Sequence, residues 1–315
     1  MNYRHLGTAG LQVSTVALGG WINYGEGKVA DDEARRVVER AYELGINFYD
    51  LADIYGNGEA EKQMGQLLKS YPRHTLVIST KVFWPMSDDI NDRGLSRKHI
   101  MESIDRSLQN LGTDYVDIYF CHRPDPETPI LETARAMHTL IEQGKVLYWG
   151  TSEWPASQIA EAVALCERYL LHPPQVEQPQ YSMVYRDRVE NQILPVTKPR
   201  GIGLVPFSPL AMGLLTGKYD DGIPDDSRFY REPWAKERYI NDANVERVRR
   251  LKPIADELDI TRAQLALAWL LRDPGVSSVI TGATRVSQVE DNVGGSEVEL
   301  STDILKQIEQ ALSLA

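Results

Sequence analysis

Eight short apolar runs, separated by amphipathic stretches, constrain this sequence more than any other feature. They fall at 14–18, 46–50, 76–81, 115–121, 146–150, 175–178, 202–206 and 277–281. Such alternation marks parallel strands joined by helical crossovers, because each strand is covered on both faces. The helical stretches are locally specified. Residues 31–44 set Ala34, Val37, Val38 and Ala41 on one face and stop at Gly45. Residues 96–111 set Ile100, Ile104, Leu108 and Leu111 inside, with Gly112 beyond. Thr128 and Pro129 read as an N-cap and first-turn pair for a helix ending at Gly144. Further helices are expected over 245–258, 263–272 and 302–312.

Eight such units can close into a barrel or lie open as a doubly wound sheet, and periodicity does not decide. A dinucleotide-binding open sheet carries GxGxxG after its first strand. Here the first run leads into GGWINYGEG, with the wrong spacing, and the later GNGEAE lacks the third glycine. The reading is therefore α/β, a (β/α)8 TIM barrel forming a single domain over 1–315. Ahead of it, YRHLGTAGLQVS has two extended pieces about Thr8, Ala9 and Gly10, a β-hairpin placed to plug one barrel end. After the seventh run, 207–276 is too long for one crossover and begins rich in Gly, Pro, Ser and Asp. A long loop covering a ligand is expected there.

Charge and cysteine usage exclude several functions. The net charge is −11 and the cations are scattered among acids, so nucleic acid is not an expected partner. No apolar stretch approaches ~18 residues and MNYRHLGTAG has no signal core, so a cytoplasmic protein without membrane insertion is expected. Cys121 and Cys166 belong to no CxxC spacing. Cys166 shares a helical stripe with Ile159, Val163 and Leu170 and reads as a small buried hydrophobe. No HxH or comparable cluster stands at a strand end, which weighs against a metal-dependent barrel hydrolase and predicts no catalytic metal.

Several polar residues close the strand runs: Asp50, Lys81, His122, Ser152, Gln178, Ser208 and Gly282. In a barrel those ends form one mouth, so residues distant in sequence converge. Asp50 and Lys81 each follow buried apolar residues on neighbouring strands, and isolated buried ions cost several kcal/mol, so the two are expected to pair. The pair alone has a purely structural reading. Tyr55, in DLADIYG, adds a phenol on the same rim. A phenol, with a pKa near ~10, is a poor acid at neutral pH; a neighbouring ammonium favours phenolate and eases proton donation. His122 can bind a carbonyl oxygen or assist proton transfer. A tyrosine acid without a metal suits carbonyl reduction, in which hydride reaches carbon from a cofactor while a proton reaches the alkoxide oxygen.

GINFYDLADIYGNGEAEKQMG, over 45–65, resembles the signature of the aldo-keto reductase superfamily. STKVFW, RGLSRKHI, RPDPETP, YWGTSEW, FSPLAMGLLTGKY and ITGATRVSQVEDNVG resemble the branch of voltage-gated potassium channel β subunits and their bacterial relatives, so the likeness runs through nearly the whole chain. The resemblance implies a catalytic tetrad of Asp50, Tyr55, Lys81 and His122. In the channel β subunits the last position is asparagine; histidine, in CHRPDP, is the usual residue of the wider superfamily and favours a working reductase.

It further implies NADPH/NADP+ as cofactor. Gly20, Trp21, Asp50, Ser152 and Gln178 would lie around the nicotinamide, Phe207 would stack on it, and Ser208, Leu210 and Lys218 would follow the pyrophosphate. Arg228, Gly282, Thr284, Gln288, Asp291 and Asn292 match the adenosine end, and Arg285 lies within that motif. Guanidinium pairs with phosphate bidentately, so Arg228 and Arg285 favour NADPH over NADH, unless they are solvated surface residues. Trp21, Tyr24, Trp84 and Trp154 follow strand ends and, with Tyr55 and His122, would wall a pocket for a compact aldehyde or ketone; core or rim packing explains any one of them equally well. The expected activity is reduction of aldehydes or ketones to alcohols with Tyr55 as general acid. The alternative is a redox-sensing, potassium-channel β-subunit-like regulatory protein with little turnover. The resemblance to the channel β branch implies a homo-oligomer, tetramer or octamer, whereas many other members of the superfamily are monomers.

Overall fold

Parallel pairing of eight strands around a closed ring organises the chain in a computed structural model that describes residues 1–21, 23–25, 29–225 and 227–313. Ile22, Glu26 and Gly27 of the GGWINYGEG run, and Asp226 of the long interval, lie outside the described residues. In chain order the first elements are β1 (Tyr3–His5), β2 (Gln12–Ser14), β3 (Val16–Gly19), α1 (Asp31–Glu43), β4 (Phe48–Asp50), α2 (Glu59–Leu68), β5 (Val77–Val82) and α3 (Arg97–Leu111). There follow β6 (Val116–Cys121), α4 (Ile130–Glu142), β7 (Val146–Ser152), α5 (Ala156–Tyr169), β8 (Val176–Gln178), α6 (Leu194–Thr197) and β9 (Gly203–Leu204). The last are α7 (Arg228–Arg231), α8 (Pro233–Tyr239), α9 (Asp242–Arg250), α10 (Lys252–Glu257), α11 (Arg262–Leu271), β10 (Val279–Thr281), α12 (Val286–Gly294) and α13 (Thr302–Ser313).

The sheet order is β10-β3-β4-β5-β6-β7-β8-β9, and parallel bridges Leu204↔Val276 and Phe207↔Ile280 join its two edges. The fold is a (β/α)8 barrel. Its interior is built in two layers from the same strands. Toward the amino ends, Ala17, Phe48, Val77, Ile118, Val176 and Val205 form an apolar cluster with Leu6, Ala9 and Val13 of the hairpin. The antiparallel β1–β2 hairpin thus stoppers this end, as the sequence predicts. Arg4 fastens it by donating to the carbonyls of Leu271, Asp273 and Val276. Close approach demands glycine in two places: a Cβ on Gly7 (φ +59°) would meet the Gly201 oxygen at 2.1 Å, and one on Gly150 would meet the Val176 oxygen at 2.4 Å.

The outer helices follow the predicted faces, with local departures. In α1 the buried residues are Ala34, Val37, Val38 and Ala41, with Gly45 left-handed beyond. Ser96 caps α3 by accepting the His99 N–H, and Gly112 closes it in the left-handed region. Leu108 is only half-buried, because Ser103 and Ser107 occupy the inner stripe. Thr128 does not cap α4: its hydroxyl donates to Asp125, the helix starts at Ile130, and Pro129 stands at the cap. Cys166 is buried as expected, but Leu170 leaves its stripe, taking the left-handed cap position of α5 with 88% of its surface exposed. The helix expected over 245–258 is two, α9 and α10; Pro253, at the start of α10, cannot donate to the preceding turn.

The long interval after β9 is not a plain loop. It carries α7 and α8, knit by Phe229 packed against Tyr219 and Tyr239, with Gln180 donating to Tyr239 Oη at 2.6 Å. Among the described residues no helix is long and apolar enough to cross a membrane.

Candidate active site

Register brings the predicted strand-end residues together. Gly19 pairs with Asp50, Asp50 with Ser79, and Ser152 with Gln178, so their side chains share one level above the apolar layer. Asp50 accepts from Ser79 Oγ at 2.7 Å, Gln178 Nε2 at 3.0 Å and Lys81 Nζ at 2.7 Å. Lys81 is fully buried, and its three ammonium donors reach Asp50, the Leu51 carbonyl at 2.6 Å and Tyr55 Oη at 3.1 Å. A buried ammonium holds its charge only when so paired. Because Tyr55 Oη accepts from Lys81, its own O–H remains to donate toward the cavity.

Tyr55 opens a tight turn, Tyr55–Gly58, whose next three residues all have positive φ. Asp53 braces that turn, accepting the Ile54 N–H at 2.7 Å and the Ser103 hydroxyl at 2.9 Å. Burial, reinforced by Glu61, pushes the Asp53 carboxyl up to about 7.

Electrostatics sharpen the roles. Burial raises the Tyr55 pKa; Lys81 pulls it down without reversing the shift, so the phenol stays protonated. The ammonium thus acts on the phenol in the expected direction, against a larger effect of burial. For Lys81, burial favours the neutral amine, but Asp50 and Tyr55 outweigh it and the pKa rises. His122 is driven well below its ordinary value by burial, then Lys81 and Arg123, so it is a neutral imidazole. Its ring stands edge-on to Tyr55 and to Trp84, with centroids 5.9 and 6.2 Å apart.

A cavity of about 670 Å³ opens over this cluster. Asp50, Tyr55, His122, Ser152 and Gln178 line it, with Trp21 and Trp84 at its rim, each 37% exposed. Lys81 stands behind Tyr55 and outside the lining. Phe207, Ser208, Leu210, Lys218, Arg228, Gly282, Thr284, Arg285, Gln288, Asp291 and Asn292 continue the lining away from the tetrad. Gly20 does not reach it; its neighbour Gly19 does. Tyr24 and Trp154 are buried, at 2% and 1% exposure, outside the lining, so neither walls a pocket. Following a strand end fixes where a chain goes next, not where its side chain points.

The lining suits a phosphorylated dinucleotide. Arg123, Lys218, Arg228, Arg231 and Arg285 face Asp50 and Asp291, a cationic excess inside an acidic chain. Among the described residues no carboxylate lies within 4.0 Å of Arg228, which donates instead to Asn23 Oδ1 at 3.0 Å. Burial lowers its pKa, as expected of a half-buried guanidinium lacking an acidic partner. Ser208, Ala211 and Met212 hold positive φ, a strain of about 1–3 kcal/mol each that is characteristic of ligand clamps. Thr284 is fixed by Gln288, and Asp291 by the Thr261 hydroxyl at 2.8 Å.

Sequence reasoning missed Arg123, Met212 and Arg231 in this lining. Arg123 was in view within CHRPDP, one residue past the histidine singled out. Among the described residues the one grouping that could hold a metal, His138, Glu142 and His172, lies apart from the cavity lining, with His172 and Glu142 in an exposed 2.9 Å contact.

The family model described as the aldo/keto reductase family matches residues 15–313. A probable voltage-gated potassium channel subunit beta of Arabidopsis thaliana is 48% identical over 319 residues, covering 99% of this chain and 97% of its own length. A probable voltage-gated potassium channel subunit beta of Oryza sativa subsp. japonica is 45% identical over 316 residues, covering 98% of this chain and 96% of its own length.

Proposed function

The chain belongs to the aldo/keto reductase family, and we propose that it is an NADPH-dependent reductase of compact aldehydes or ketones. The observation carrying this reading is the spending of all three Lys81 donors on Asp50, Leu51 and Tyr55, which leaves the phenol proton directed at the cavity. Ser152 and Gln178 would hold the nicotinamide half, with Phe207 as the stacking ring. Ser208, Leu210, Lys218, Arg228 and Arg285 would hold the phosphates, and Thr284, Gln288, Asp291 and Asn292 the adenosine. When bound, this cofactor supplies hydride to the carbonyl carbon. Tyr55 and the neutral His122 converge on the carbonyl oxygen. As negative charge develops there, Tyr55 gives up its proton, and the Lys81 ammonium stabilises the phenolate left behind. Asp50 keeps Lys81 charged and in place. Trp21 and Trp84 restrict the substrate end and exclude water from the reacting carbon.

The test is a panel of aldehydes and ketones with NADPH oxidation followed by absorbance. Turnover of at least one carbonyl class, with NADPH preferred over NADH, is expected; no oxidation across the panel would sink the reading. The channel-subunit names of both plant relatives favour a second reading, a redox-sensing regulatory protein. Stoichiometric capture of a membrane-channel partner together with negligible turnover would select it.

A further inference from the structure

We propose that Arg123 forms an anion subsite beside the tetrad, so that the preferred substrate is an aldehyde or ketone carrying a carboxylate or phosphate within a few bonds of its carbonyl. The inference rests on the reductase reading above and narrows its substrate class. The cations of the cavity fall into two groups. Lys218, Arg228 and Arg231 come from the segment after β9, and Arg285 from the start of α12, where the cofactor's phosphates would lie. Arg123 instead leaves the end of β6, directly after His122, and lines the substrate end of the cavity.

Its surroundings leave its charge unanswered. Arg123 Nη1 donates to the His122 carbonyl and, at 3.4 Å, to Ser152 Oγ, both neutral acceptors. Among the described residues no carboxylate lies within 4.0 Å of it. Glu153, whose charge Arg123 feels, is already engaged by the Arg188 guanidinium at 2.9 Å and the Gln180 N–H at 2.7 Å. The guanidinium carbon lies 5.8 Å from the centre of the Trp84 ring, whose edge-on partner is His122. A half-buried cation with spare planar donors, beside a rim tryptophan and next in sequence to His122, suits an anionic second functional group of a small substrate. An anion there would also orient the carbonyl toward Tyr55, which raises the fraction of bound substrate in a reactive pose.

The experiment compares matched pairs with NADPH: succinic semialdehyde against butanal for the carboxylate, glycolaldehyde phosphate against glycolaldehyde for the phosphate. The wild-type protein is expected to favour the anionic member of at least one pair in kcat/KM by about 10- to 100-fold, the scale of a charge-assisted contact. The pair that shows the preference identifies the source of the anion. Arg123→Met should collapse the ratio toward one, and Arg123→Lys should keep part of it. Added salt should raise KM for the anionic member more than for the neutral one. Binding of succinic semialdehyde and of glycolaldehyde phosphate to NADPH-loaded Tyr55→Phe protein, with and without Arg123→Met, gives the same comparison without turnover. A wild-type ratio near one, or a ratio that survives Arg123→Met, overturns the subsite and leaves the reductase reading intact. Failure to reduce any aldehyde, while anion binding still depends on Arg123, would sink the reductase reading and support the subsite alone.

Discussion

The two layers of the barrel interior are built from the same strands and differ in nearly every physical respect. Phe48 and Asp50 are neighbours on one face of β4, and Val77 and Lys81 share one face of β5 with Ser79 between them, yet the first of each pair joins the apolar stopper and the second joins the ion cluster. The lower layer is closed by Leu6, Ala9 and Val13 and is an apolar cluster, with Leu11 and Tyr148 packed against it. The upper layer buries an ion pair and a phenol under a cavity. Apolar burial stabilises the lower layer at the end of the barrel away from the cavity. The upper layer keeps groups whose burial is unfavourable in isolation and is offset by the pairs they form.

Substitutions on the two sides should separate cleanly. The largest effect is expected for Lys81→Met, which strands Asp50: about 3–5 kcal/mol of stability in denaturant unfolding and about 10²–10⁴-fold in turnover. Leu6→Ala, at the opposite end, should cost about 2–5 kcal/mol while leaving kcat unchanged below the unfolding range. A fall in kcat without loss of stability would break the division of labour. Arg228→Gln should weaken NADPH about 10- to 100-fold in equilibrium titration and NADH much less; equal losses would mean that Arg228 does not hold the phosphate that distinguishes NADPH from NADH.

The smallest effect concerns pH. The Asp53 carboxyl titrates near 7 in the folded chain and near its ordinary ~3.9 when unfolded. Between those values the unfolded chain binds fewer protons, so stability falls as pH rises, and the loss is complete above about 7. Asp53→Asn should flatten this slope by a few degrees in Tm between pH 5 and 8, whereas Leu6→Ala should leave the slope as it is.

Much of the lower layer was legible, because alternation and turn glycines act locally. The hairpin stopper, the eight strands and the faces of α1 follow from the order of apolar residues. The tetrad was legible for a different reason: polar residues ending apolar runs stand out. What stayed hidden depends on side-chain direction and on distant partners. Trp154 and Tyr24 carry the same chemistry as Trp84 and Trp21 but turn into the core. α7 and α8 were obscured by the glycine- and proline-rich start of their segment, since their stability comes from the Phe229, Tyr219 and Tyr239 cluster. Among the described residues Arg123 has no carboxylate within 4.0 Å, while Glu153, the residue after Ser152, pairs with Arg188, a choice of partner no local pattern encodes.

The proposed reductase depends above all on Tyr55 as proton donor to the carbonyl oxygen. Tyr55→Phe removes one oxygen and keeps the ring against His122, so the most direct measurement compares NADPH affinity and aldehyde turnover in this variant and the wild type. Unchanged NADPH binding is expected, with turnover lowered about 10²–10⁴-fold. Aldehyde reduction at the wild-type rate would contradict this role.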